Sequence, residues 1–64
     1  MNDKFIEKMN EHTNELSDLI ETISADYIES DDEYENELFY SGMQKAKEFC
    51  SNLRIIIKHR SEKD

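Results

Sequence analysis

His12 and Glu15 stand three residues apart, the spacing that brings two side chains together on one helix face. An imidazole beside a carboxylate could begin a metal site or a proton relay. Bundle di-metal sites, however, use Glu-x-x-His in that order, with further inward carboxylates. The residues three before His12 and His59 are Met9 and Ile56, so that motif is missing. The span 26–37 has the length of a calcium loop, but Ile28 falls at a ligand position and the central glycine is lacking. Cys50 sits in an apolar stripe, where a thiol acts as a small hydrophobe. As a lone cysteine it excludes an intrachain disulfide framework and a Cys-based zinc site. No nucleophile–base pair is visible. The expectation is a protein with no catalytic residues, no metal and no cofactor.

Carboxylates are the strongest feature. The 64 residues hold 16 Asp+Glu against 8 Lys+Arg, a formal charge of −8 with a pI near 4.6. Glu7, Glu11, Glu15, Asp18 and Glu21 recur at helical spacing opposite the apolar positions of their segment. Glu7/Glu11 and Glu11/Glu15 are like-charge i,i+4 pairs, each worth a few tenths of a kcal/mol against an isolated helix. A second concentration runs from Glu29 through Asp31, Asp32, Glu33, Tyr34, Glu35 and Glu37, with Tyr40 just beyond. Such a surface either keeps a small protein dissolved or meets a basic partner, where charge complementarity speeds association. Tyr34 and Tyr40, aromatic among acids, are the candidate anchors.

These residues must be carried by helices. One glycine and no proline leave few breakers. Helix 1 is expected over residues 3–28 with the seam Ile6, Met9, Thr13, Leu16, Ile20, Ile23 and Tyr27, widened by Phe5 and Leu19. An acidic turn over 29–31 follows, in which Ser30-x-x-Glu33 has capping-box spacing. Helix 2 is expected over 31–59, with the seam Phe39, Gly42, Ala46, Phe49, Leu53 and Ile56, and with Met43, Cys50 and Ile57 beside it. Ser41-Gly42 is its weak point, since an interior glycine costs about 1 kcal/mol relative to alanine. Continuity is favoured over a break at 41–42, because Gly42 and Ala46 both fall on the apolar side.

Two amphipathic helices with a short connection fold back as one antiparallel hairpin, an all-α domain spanning residues 1–64. Charge agrees with that direction. Residues 1–37 hold 13 acids and 2 bases; residues 38–64 hold 3 acids and 6 bases. Folding back carries Arg54, Lys58 and Arg60 towards Asp3, Glu7 and Glu11. One hairpin cannot cover stripes this wide, and one small core supplies only about 3–5 kcal/mol. Pairing two hairpins into a four-helix bundle is therefore expected, with a homodimer as the assembly.

The longest apolar run, Ile55-Ile56-Ile57, is far too short to span a membrane. Asp3 and Glu7 stand where a secretory leader would need basic and apolar residues, so the cytoplasm is the expected compartment. A composition rich in Ile, Asn, Lys and Glu suits an AT-rich coding sequence, as in low-GC bacteria and their phages. The leading functional expectation is a small acidic regulator or inhibitor, a DNA mimic for example, that docks on a basic protein surface. An assembly subunit burying its apolar face in a larger complex is the alternative. In shape the expected dimer resembles the small RNA-binding hairpin dimers of plasmid copy control, which implies RNA binding as a third function. The −8 charge disfavours nucleic acid as a partner.

Overall fold

The computed structural model describes residues 3–63, which form two helices, α1 (Asp3–Asp26) and α2 (Glu33–Lys63), packed antiparallel. The hairpin is a rod of 51 × 16 × 11 Å with a radius of gyration of 15.2 Å. A compact globule of this length would measure about 11 Å. Length along one axis thus comes at the expense of a thick core.

α1 ends two residues earlier than the periodicity predicts. Asp26 puts a carboxylate at the helix C-terminus, the end that disfavours negative charge, and no basic residue occupies the last turn. The Tyr27 ring is instead drawn across to Phe39. α2 begins at Glu33, because its cap is Asp32: the Tyr34 N–H donates to Asp32 Oδ1 at 2.9 Å. Ser30 acts one step earlier, its Oγ accepting the Asp32 N–H at 2.8 Å. Two short polar side chains in series therefore replace the expected capping box. α2 continues to Lys63, with Arg60 and Lys63 in its last turn, where the dipole favours cations. It runs unbroken through Ser41-Gly42. The connection reverses with no described residue at positive φ.

Heptad letters make the packing clear. With Ile6, Thr13, Ile20 and Tyr27 at position a of α1, Met9, Leu16 and Ile23 occupy d. In α2, Met43, Cys50 and Ile57 occupy a, and Phe39, Ala46 and Leu53 occupy d. The buried residues are Thr13, Ile20, Cys50 and Ile57, all at a. The d residues are half-buried, apart from Ile23, which is exposed. The seam of α2 therefore runs one position away from the one read in the sequence. Met43, Cys50 and Ile57 lie inward, and Gly42, Phe49 and Ile56, at g, lie outside. The cause is stripe width: α2 is apolar at a, d and g, and one facing helix covers only a and the near side of d.

Interhelical charge pairing does not form. Among the described residues, no carboxylate of one helix lies within 4.0 Å of a base of the other. Arg60 places its guanidinium 4.4 Å from the Phe5 ring centroid, and Arg54 reaches the Asn14 amide oxygen at 3.5 Å. Exposed ion pairs are worth about 0–1 kcal/mol, too little to order these long side chains.

Candidate functional site

The tip of the hairpin is organised by Asn36. Its Oδ1 accepts the Tyr27 hydroxyl at 2.8 Å and the Ser30 N–H at 3.0 Å, and its Nδ2 donates to the Ser30 carbonyl at 2.9 Å. One half-buried amide thereby ties the end of α1, the connection and the first turn of α2. Above it the Tyr27 and Phe39 rings stack at 3.7 Å, 6° from parallel. Tyr40 meets both edge-on, and its hydroxyl donates to a Glu29 carboxylate oxygen. Both phenols hold their protons more tightly than usual. Partial burial leads for Tyr27, with the negative charges of Glu35 and Glu29 adding to it. The bond to Glu29 leads for Tyr40.

That geometry divides the acidic tip by role. Asp32 is engaged as a cap, and Glu29 holds Tyr40. Asp31, Glu33, Glu35 and Glu37 are exposed. Tyr40 belongs to the aromatic clamp more than to an outward surface, although half of it remains accessible. Tyr34 does project outwards, and two apolar residues outside the expected acidic surface join it in exposure. Ile28 is 86% exposed and Leu38 is 55% exposed. Leu38 follows Tyr34 by four residues, a spacing that could have revealed their shared face.

Along α1, Glu7, Glu11, Glu15, Asp18 and Glu21 are all exposed. They span about 21 Å of helix at 1.5 Å per residue. They do not share one plane. Glu11 and Asp18 point straight out, Glu7 and Glu21 lean to one flank, and Glu15 leans to the other. Beside them, His12 Nδ1 lies 4.0 Å from Glu15 Oε1. Among the described residues, no group of three His, Cys, Asp or Glu side chains is placed to hold a metal ion.

The two flanks of the rod differ in chemistry. In an antiparallel pair the e positions of both helices meet on one side and the g positions on the other. The e side carries Asn10, Ser17 and Ser24 of α1 opposite Tyr40, Lys47 and Arg54 of α2. Ser17, Lys47 and Arg54 line one shallow open groove there; Ser24, Tyr40 and Lys47 line another. The g side carries Phe5, His12, Leu19 and Asp26 opposite Gly42, Phe49 and Ile56. Among the apolar residues expected in or beside the two seams, Ile20, Cys50 and Ile57 are buried, while Ile23, Phe49 and Ile56 are exposed. Ile6, Met9, Leu16, Phe39, Met43, Ala46 and Leu53 lie between. A last feature was not foreseen: Thr13, 1% exposed, has a hydroxyl with no hydrogen-bond partner among the described residues.

No described helix is long and apolar enough to cross a membrane. A scan against protein-family models, a search of curated proteins and a search of solved structures each return no match to this chain.

Proposed function

We propose that this chain is a small acidic, non-enzymatic binding regulator that works as a pair of hairpins in a four-helix bundle. Its carboxylate surface docks on a basic protein surface, such as the nucleic-acid groove of a DNA- or RNA-handling enzyme. One observation carries this reading: five exposed carboxylates along about 21 Å of α1, with no lysine or arginine drawn onto them by the fold. Unneutralised charge of one sign steers a basic partner and speeds its association. A cytoplasmic inhibitor encoded by a phage or mobile element is the setting that this chemistry fits.

The test is charge reversal. A chain carrying Glu11→Lys, Glu15→Lys and Asp18→Lys keeps its helical circular dichroism, because all three sites are exposed. Wild-type chain on a column retains a basic protein whose binding weakens steeply with salt. The reversed chain releases it. Equal retention by both chains reduces the acidic surface to a solubilising one.

The open g flank favours a second reading, an assembly subunit that buries this face in a larger complex. A lone chain that stays molten in ultracentrifugation and near-ultraviolet dichroism, and orders only with a partner, would support it.

A further inference from the structure

We propose that the g flank, built around Leu19, Ile23, Phe49 and Ile56, is the surface on which a second copy of this chain docks. The inference rests on the proposed pairing of hairpins and names the face that mediates it.

Three observations converge on this flank. The first is incomplete burial. Every buried side chain sits at heptad position a, and the d residues are covered on one side only. Their open side turns towards the g residues, where Leu19 and Phe49 are each 55% exposed and Ile56 is 44% exposed. Leu19 and Phe49 also stand at the same level of the rod, as the pairing of Asn14 with Arg54 and of Phe5 with Arg60 requires. At this level the apolar strip therefore crosses both helices, with exposed His12 and Asp26 at the g positions of α1 on either side of Leu19.

The second is area. The chain exposes 5415 Å², where a folded monomer of its mass exposes about 4,300 Å². The accessible parts of Phe5, Leu19, Ile23, Phe49 and Ile56 sum to roughly 500 Å² per copy along the length of the flank. Two such faces together offer about 1,000 Å² of apolar surface. A standard interface of about 1,600 Å² that is some 60% apolar needs just this amount.

The third is charge, which selects a second copy over a foreign chain. Two copies of a −8 molecule repel unless their acids stay apart. Glu7, Glu11, Asp18 and Glu21 lie on the outer and e-side positions of α1, away from the g flank. The flank itself holds Asp26, and its rim carries Lys8 and Lys45 beside Glu15. Its charge is nearly balanced, and a lysine of one copy can meet Glu15 of the other. Pairing through the e flank would instead desolvate Lys47 and Arg54. Gly42 adds room on the g side, with nothing within 4 Å of where its Cβ would stand.

Sedimentation equilibrium on the full chain tests the assignment. Wild type is expected as a dimer at tens of micromolar. Leu19→Glu/Phe49→Glu is expected as a monomer, and Leu19→Ala/Phe49→Ala, which spares the helices, raises the dimer dissociation constant roughly a hundredfold. Ser24→Glu/Ser51→Glu, on the e side, leaves the dimer intact. A dimer that survives the alanine pair and fails with the Ser24/Ser51 pair overturns this face while leaving the pairing of hairpins standing. A folded wild-type monomer at that concentration overturns both.

Discussion

The tip and the body of this hairpin are held by different physics. At the tip, residues 27–40 satisfy one another: an amide with three partners, two capping side chains in series and a stacked aromatic pair. Most of these contacts are short in sequence, so little loop-closure entropy opposes them. The body depends on one column of a-position side chains, and beside that column the apolar flank stays wet. The tip is complete within one chain. The body leaves one flank of its core uncovered, and most of the molecule's sensitivity to mutation should reside there.

The largest effect that could break this contrast is expected from Ile20→Ala. Truncating a buried isoleucine costs about 2–4 kcal/mol, most of what a small core provides. Circular dichroism should show the chain largely unfolded at 37 °C; a melt close to wild type would show that the body does not carry the fold. Asn36→Ala comes next, at about 2 kcal/mol, because it leaves the Ser30 amide and the Tyr27 hydroxyl without their acceptor. Hydrogen exchange should locate its damage at the start of α2, with the a column still protected. Thr13→Val should act in the opposite direction. It replaces an unpartnered buried hydroxyl with a methyl group of similar shape and should raise stability by about 1 kcal/mol in urea denaturation.

The smallest expected effect sharpens the tip. Tyr27 and Tyr40 both ionise above their ordinary value of 10.0 in the folded chain. Folded chain therefore holds these protons more tightly than unfolded chain. The stability that they add is complete below 10.0 and is lost as pH rises through their folded values. Denaturation measured at several alkaline pH values should show this loss, and Tyr40→Phe should flatten it, since its bond to Glu29 is the leading cause of its shift. An unchanged slope in Tyr40→Phe would detach Tyr40 from the clamp.

The features that were legible in the sequence are those set by composition and period. The paired helices, the acidic connection and continuity through Gly42 all follow from scarce breakers and regular apolar spacing. The register of α2 was not legible, because Met43 and Gly42, Cys50 and Phe49, and Ile57 and Ile56 are neighbouring pairs that serve a heptad equally well. Only the opposing helix decides which member turns inward. The cap was misplaced for a similar reason: Ser30 and Asp32 are both good caps, and the geometry of the turn employs both. The role of Asn36 left no local signal at all, since its partners are Tyr27 and Ser30, nine and six residues earlier. The exposed carboxylates were readable as a pattern, and their division between capping, clamping and open solvent was not.

Cys50 turns the buried column into an instrument. It is the chain's single thiol and is 8% exposed. It borders the e-side groove with little surface to offer, so a bulky alkylating reagent reaches it faster when the helices part, and the rate of labelling follows how often the rod breathes. Labelling that slows as protein concentration rises would mean that assembly and closure are one event, and the molecule would carry its own clock for that event without an added probe.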